Sequence, residues 1–589
     1  MQKQKTPWQY FVSYLKPFWK GILTVVLLSL ISNVANIIAP KYLGNAVTDL
    51  THFVSSGFHN QGNIADFYSA LGKMIAFYAL SIITMFISWI ITTRFNAHAT
   101  NHMRKNLFGK FQRMTIRYFD NHQDGKLLSL FTSDLDNVYN ALNNAVFEII
   151  AQSIGLIGTV IMMFMINVKL AIATIISTPF VLILSIWIMK KAKKYLDLQQ
   201  DEISNLNGYI NEQINGQKVI IANGLQEDSI AGFKGYNGKV KDAMFKGQFY
   251  SGILFPLMNG LSLLNLAIVI GYGAYMIVSG EVTKAVGLGL IVMFVEYSQN
   301  YFFPLTQVTS IYSMIQLAIA GAKRLARVEA QEEEDQVADG QELTKLEQGV
   351  SLKDVHFSYK EGKEILHGVS IDVDKGNSVA LVGPTGSGKT TVMNLLNRFY
   401  DIDSGSITFD GKNIRNLTLQ SLRNNVGIVL QESVIFTGTI LDNIRYGKPN
   451  ASLGEVIAVA KEANIHDFID SLPDKYDTKV TDENSLFSTG QKQLISIART
   501  LLTDPDFLIL DEATSNVDTV TEEKIQKAMD NVIKGRTSFV IAHRLKTILN
   551  SDKIVVLQNG NIIETGNHHE LLAQKGFYYK LYTSQMAFE

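Results

Sequence analysis

Hydrophobic and polar positions divide the 589-residue chain into two regimes. Up to Pro304 the apolar residues come in long, nearly unbroken runs. From Val350 onward they come in short β-branched blocks, separated by glycine turns and by stretches with helical period. A membrane-crossing helix needs about 20 consecutive apolar residues. Six runs meet that length: Gly21–Leu43, Leu71–Thr93, Val146–Ile166, Leu170–Met189, Ile253–Val278 and Ala285–Pro304. The short blocks predict an α/β domain on a mainly parallel sheet. The expected fold class is therefore a membrane α-helical domain of six long transmembrane helices extending into the cytoplasm, fused to an α/β domain. The expected boundaries are 1–328 for the membrane part, 329–349 for an acidic, Gln-rich linker and 350–589 for the α/β part.

The distribution of Lys and Arg orients the spans. The connection after the second run holds Arg94, Arg104, Lys105, Lys110, Arg113, Arg117 and Lys126, and the fourth run ends in Lys190, Lys191, Lys193 and Lys194. The opposite connections are poor in positive charge. The positive-inside rule then places both termini in the cytoplasm. The two basic connections are too long to be structureless loops of a compact protein. Their apolar residues recur at helical spacing, which predicts membrane helices that continue into the cytoplasm and meet in short turns. One carboxylate, Glu296, falls inside the sixth run. Ionisable groups at membrane depth usually face a cavity or a partner, so Glu296 either lines a translocation path favouring cations, or lies near the interface or serves a structural hydrogen bond.

Composition removes several function classes. Net charge is −1, which argues against nucleic acid as a partner bound through bulk charge. There is no cysteine, so disulfides, thiolate metal sites and cysteine nucleophiles are excluded. No short apolar run with a small-residue cleavage site marks a signal peptide near the first residues.

The chemistry lies in the second regime. Gly383, Pro384, Thr385, Gly386, Ser387, Gly388, Lys389 and Thr390 fit G-x-x-x-x-G-K-[ST]. The β-like run Ser378–Val382 precedes them and a helix-like run from Thr391 follows, which is the context a P-loop requires. Glycines let the backbone wrap a phosphate, and the helix N-terminus adds a favourable dipole. Lys389 can reach the terminal phosphates of a nucleoside triphosphate and Thr390 can ligate Mg2+. Further along, the apolar strand Phe507–Leu510 ends in Asp511 and Glu512. Ligands of such sheets bind at the carboxyl ends of strands. Asp511 there can hold Mg2+ and Glu512 can act as general base toward water. Four weaker signals accompany these. Tyr359 can stack on an adenine or sit in the core, and Gln431 after Val426–Leu430 can help ligate Mg2+ or position water. Ser488, Gly490 and Gln491 precede a helix, as phosphate donors or as an ordinary N-cap. His543 ends the run Ser538–Ala542, where a histidine can touch a γ-phosphate or be structural.

Taken in order, these motifs resemble those of a half-transporter of the ATP-binding-cassette (ABC) exporter family, across essentially the whole chain. Tyr359 matches the family's A-loop, Gly383–Thr390 its Walker A segment, with Thr391 beside it as a further nucleotide contact, Gln431 its Q-loop, and Phe487–Gln491 its signature. Asp511 and Glu512 match the Walker B end, Ser515–Asp518 the D-loop and His543 the switch histidine. Tyr118–Ser129 and Asn207–Glu212 look like the loops leading to coupling helices. The resemblance implies ATP-driven export of amphipathic drugs or lipids by alternating access across the membrane of a bacterial cell. It also implies ATP and Mg2+ as ligands and a dimeric assembly. Each ATP would lie between the Walker A segment of one chain and the signature of the other. One departure stands out. The usual signature is Leu-Ser-Gly-Gly-Gln; here Phe487 replaces Leu and Thr489 replaces the first Gly. With Glu512 and His543 kept, the chain resembles the Glu-bearing subunit of heterodimeric exporters, whose partner carries the intact signature. A homodimer that tolerates Thr489 is the alternative, and a membrane ATPase that senses or gates is the rival from another class.

Overall fold

The structure is a computed structural model. It describes all residues except 1–4, 59–60, 335–339, 361, 432, 482–486, 512–518, 542–548, 550 and 587–589. For 61–63, 145–147, 254, 305–306, 308–313, 519–520 and 585–586 only the backbone is described. The chain forms two compact units. The first comprises Met1–Gln112 and Gln123–Glu332, and the second Arg113–His122 and Glu333–Glu589.

The first unit is built of long helices: α1 (Pro7–Ser55), α2 (Gln61–Phe111), α4 (Asp124–Ile166), α5 (Val168–Asn215), α6 (Gln226–Val278) and α7 (Lys284–Glu329). The short α3 (Ile116–Asp120) lies in the second unit. Among the described residues, α1, α2, α4, α5 and α6 are long and apolar enough to cross a membrane. The sixth run expected from the sequence opens α7, where Glu296, Ser298, Gln299 and Asn300 dilute its apolar character. The tight turn between α4 and α5 is made by Asn167, whose side chain accepts from the Leu170 N–H and caps the next helix. Between α5 and α6 the chain turns through Gln217–Ala222, leaving Val219 and Ile221 exposed.

Lipid offers helices no hydrophobic drive to associate, so small residues that permit close approach carry the packing. A Cβ added at Gly289 on α7 would lie 2.5 Å from the Gly44 carbonyl oxygen of α1. One added at Gly155 on α4 would lie 2.8 Å from Asn33 Oδ1 of α1. Some polar groups inside this unit bond across helices: Tyr297 donates to the Ile37 carbonyl at 2.9 Å, and Asn265 donates to Ser298 Oγ at 2.9 Å. The carboxylate of Asp134, only 2% exposed, is held by Arg324 Nε at 2.8 Å.

Among the described residues the second unit contains three sheets. A six-stranded sheet runs in the order β12-β11-β3-β10-β9-β6. Its strands are β3 (Ser378–Val382), β6 (Val426–Val429), β9 (Phe507–Asp511), β10 (Thr537–Ile541), β11 (Lys553–Gln558) and β12 (Asn561–Gly566). All pairs are parallel except the edge pair β11–β12. β3, β9 and β10 are buried along their full length, as near-continuous apolar runs demand. Alternate side chains separate two cores. Phe507, Ile509, Phe539 and Ile541 face one, while Leu508, Leu510 and Val540 face the other. A second sheet of β1 (Gly349–Lys360), β2 (Lys363–Asp374), β4 (Ser404–Phe409) and β5 (Lys412–Asn413) packs on the first core, and β7 (Gly438–Thr439) pairs with β8 (Lys479–Val480). α3 is anchored in this unit. Arg113 pairs with Glu333 at 2.8 Å, the Glu334 N–H donates to the Arg113 carbonyl at 2.8 Å, and Ile116 packs on the first core.

The Asp134–Arg324 pair generates a stability prediction. Arg324→Ala leaves a buried carboxylate without its cation and should destabilise the helical unit by about 2 kcal/mol, less than for a fully buried pair because Arg324 is half-exposed. A lower apparent Tm of the detergent-solubilised chain checks it, and a double replacement of both residues by Leu should recover most of the loss.

Candidate functional site

The candidate site lies at the carboxyl edge of the six-stranded sheet. Leu381 of β3, Ile541 of β10 and Asp511 of β9 stand in register across three neighbouring strands. Val429 of β6 pairs with Leu510, so Gln431 follows at the same edge, exposed. The P-loop leaves β3 at this edge and leads into α8 (Lys389–Leu396), whose Val392, Leu395 and Leu396 pack in the first core.

Its backbone explains its glycines. Gly386 and Gly388 have φ of +82° and +106°, in the left-handed region. A Cβ on Gly388 would also meet Leu366 Cδ2 at 2.7 Å, whereas Gly386 faces open space. The Lys389 ammonium folds back on the loop and donates to the carbonyls of Gly383 at 2.7 Å and Pro384 at 3.1 Å. Burial lowers its pKa, and the nearby Asp511 charge partly offsets that. Thr390 is exposed at the first turn of α8, and Thr391 is buried.

Tyr359, on β1, is tied to that same helix. Its hydroxyl donates to Thr391 Oγ1 at 3.4 Å and accepts from Asn394 Nδ2 at 3.1 Å. Its ring meets Tyr400 edge-on at 5.0 Å. Tyr400 in turn donates to Asp120 of α3, and Arg117 stacks over its ring at 5.5 Å. Burial, then the Asp120 contact, pushes the Tyr400 hydroxyl well above the ordinary phenol range. Sequence reasoning missed Tyr400 and Asn394. The only trace of Tyr400 in the sequence is an aromatic pair, Phe399-Tyr400, after the P-loop helix; Asn394 leaves none.

The segment Phe487–Gln491 opens another helix, α9 (Thr489–Thr503). Ser488 is its N-cap in a reciprocal capping box: its hydroxyl accepts from the Gln491 N–H at 3.3 Å, and Gln491 Oε1 accepts from the Ser488 N–H at 2.9 Å. Phe487 is buried against Phe468 in the second core, and Gly490 is buried. Thr489 is exposed. α9 sends Leu494, Ile495 and Ile497 into the second core, so it and the P-loop helix lie on opposite faces of the six-stranded sheet. Glu512, Ser515–Asp518 and His543 lie outside the described residues. Glu296 is half-buried on α7, far along the chain from this edge, next to Tyr297.

The P-loop edge suits a polyphosphate with Mg2+. The Ser387 hydroxyl is buried and has no hydrogen-bond partner among the described residues. The hydrogen bonds of Lys389 among the described residues go to two neutral carbonyls, and phosphate oxygens would be stronger partners for its ammonium. The exposed Thr390 hydroxyl and the Asp511 carboxylate are hard oxygen donors of the kind Mg2+ prefers.

Comparison with known proteins agrees. Residues 22–305 match the model of the ABC transporter transmembrane region, and residues 366–515 match the ABC transporter model. The chain is 40% identical over 570 residues, 96% of its length and 92% of the relative's, to the uncharacterized ABC transporter ATP-binding protein YfiC of Bacillus subtilis. The chain belongs to the ABC transporter family. It is also 37% identical over 479 residues to the fatty acid ABC transporter ATP-binding/permease protein of Mycobacterium tuberculosis, covering 81% of this chain and 75% of that one. With the putative multidrug export protein YgaD of Bacillus subtilis it shares 32% over 585 residues, 98% of both. The structure of a bacterial Atm1-family ABC exporter with ATP bound superposes with a TM-score of 0.77 at 28% identity, covering 96% of this chain and 98% of that one. The transporter is thus a multi-pass membrane protein of the ATP-hydrolysing exporter class. It binds ATP, and ABC exporters work as dimers.

The Tyr400–Asp120 contact yields a local prediction. Tyr400→Phe keeps the ring against Tyr359 but deletes the hydroxyl. Amides of Ile116–Asp120 should then exchange with solvent faster, by up to about tenfold for a lost hydrogen bond to a carboxylate. Unchanged exchange in that segment would mean that the hydroxyl does not hold α3.

Proposed function

We propose that this transporter exports amphipathic small molecules, drugs or lipids, across the cytoplasmic membrane by alternating access, paired with a different half-transporter. One observation carries the reading. Lys389, Asp511 and Gln431 share one sheet edge in a chain that also holds long apolar helices. Relatives named for multidrug and fatty-acid handling support the amphipathic class. The Lys and Arg clusters of the basic connections support cytoplasmic termini.

In this reading Tyr359 stacks on adenine, and Gly383–Thr391 cradle the phosphates. Lys389 leaves its own loop carbonyls for the β and γ phosphates. Mg2+ held by Thr390, Asp511 and Gln431 would neutralise phosphate charge there. Glu512 takes the proton from the attacking water, while His543 orients that water. Ser488, Gly490 and Gln491 serve the nucleotide of the opposite chain. The opposed placement of the P-loop helix and α9 on the sheet supports a site completed by a second chain. ATP drives the change only through its better binding to the closed pair than to the open one. α3 and the Gln217–Ala222 turn are the proposed carriers of that closure to the membrane helices.

The signature favours two different chains. Phe487 keeps an apolar plug in the second core, so that departure is conservative. Thr489 instead places an exposed side chain where a glycine would let the backbone approach a phosphate. Glu512 and His543 are retained, so this chain would supply the hydrolytic machinery of one site and a weakened signature to the other. The domain assignment 1–328, 329–349 and 350–589 belongs to the same proposal.

Two outcomes check this. In inverted vesicles carrying the transporter and its partner, Glu512→Gln should cut ATP-dependent uptake of a fluorescent amphipath to about one hundredth or less, with ATP binding retained. Equal uptake with and without ATP would count against export altogether. The purified chain alone should hydrolyse ATP slowly. Brisk, substrate-stimulated hydrolysis by a homodimer would overturn the heterodimer.

A further inference from the structure

The helical unit has a partly open cavity of about 470 Å3 between α1, α2, α4 and α7. That is the size of a small-molecule site. Its walls mix hydrogen-bonding side chains with aromatic rings: Asn33 and Asn36 from α1, Tyr78 and Trp89 from α2, Glu148 and Gln152 from α4. Glu296, the carboxylate singled out in the sequence, does not line it.

Among the described residues Glu148 is the only carboxylate on these walls, and no Lys, Arg or His accompanies it. Among the described residues its one hydrogen-bond partner is neutral, the Gln152 Nε2 at 2.6 Å. A half-buried carboxylate at membrane depth usually answers a cation or a water-filled path. Two electron-rich rings, Tyr78 and Trp89, stand on the same walls, and the face of an aromatic ring attracts cations. The amides of Asn33 and Asn36 can bond to polar substituents. Asn33 is fixed by donating to the Ser29 carbonyl at 2.8 Å, and Gly155 opposite leaves room for its oxygen.

We propose that this cavity is a binding site for monovalent lipophilic cations, with Glu148 as counter-ion and Trp89 as aromatic wall. The occupant carries one positive charge, delocalised or shielded by apolar groups so that it leaves water cheaply, and its size suits 470 Å3. Anions of the same shape are rejected, since the walls offer no cation to meet them. The use of the site for transport rests on the export reading above, whereas its occupancy does not.

The full chain in lipid nanodiscs, without ATP, tests this with radiolabelled tetraphenylphosphonium and with tetraphenylborate as a shape-matched anion. Saturable binding of the cation above empty nanodiscs is expected, with none for the anion. Glu148→Gln should weaken the cation by about tenfold or more and Glu148→Asp by less, while Trp89→Ala should cost about three- to tenfold, as loss of a cation–π contact does. Binding of a fluorescent ATP analogue to the same samples reports whether each variant is folded. If Glu148→Gln also loses ATP binding, the Glu148→Asp and Trp89→Ala variants decide. No saturable cation binding, equal anion binding, or unchanged affinity in folded Glu148→Gln and Trp89→Ala overturns the proposal. Failure of the export reading appears separately, as vesicle uptake indifferent to ATP and to Glu512→Gln.

Discussion

The register of three parallel strands governs the soluble unit. Because Leu381, Ile541 and Asp511 lie side by side, whatever follows them in the chain emerges at one edge. The P-loop, the Walker B carboxylate and, one strand further, Gln431 are thereby gathered from positions distant in sequence. The gathering depends on full burial of β3, β9 and β10, whose two faces feed two different cores. A slip of one residue in β9 would exchange Leu508 and Leu510 with Phe507 and Ile509 between cores and carry Asp511 away from the loop. Burial on both faces makes that slip costly, so hydrophobic packing holds the chemistry in place.

A different constraint rules the helical unit. Backbone polar groups in lipid must be satisfied within the protein, which leaves helices as the solution here. Side-chain polarity then stands out against an apolar background. Tyr297 reaching the Ile37 carbonyl and Asn265 reaching Ser298 tie helices together at two of the points where polar groups are buried. Close approaches at Gly44–Gly289 and Gly155 let the helices pack tightly there. Around Glu148 several polar side chains line a cavity as well as bonding to one another, Ser32 with Ser81 and Gln152 with Glu148.

What was legible in the sequence follows from the range of each interaction. The P-loop is local: eight consecutive residues contain the turn glycines, the lysine and the helix start, so spacing alone reveals it. Membrane helices are equally local, since length and apolarity define them. The parallel sheet was readable as a class but not as an order, because pairing β3 with β10 and β11 joins segments far apart in the chain. Tyr400 and Asp120 are 280 residues apart, and nothing near either one announces the other. Glu148 sits at the start of an apolar run, where a carboxylate reads as an interfacial residue. Only the convergence of four helices around it gives it another meaning.

The signature segment illustrates how one stretch can satisfy two demands. Ser488 caps α9 through a reciprocal box with Gln491, which is reason enough for both residues in a soluble helix. The same geometry leaves N–H groups at the helix start, where the dipole favours an anion. Capping therefore neither supports nor opposes a phosphate role, and the argument must rest on the neighbours. Phe487 is buried and answers to the core, so its departure from leucine carries little functional weight. Thr489 is exposed at the first turn of α9. An exposed side chain at the start of this helix is where the proposed weakening of one nucleotide site would be written.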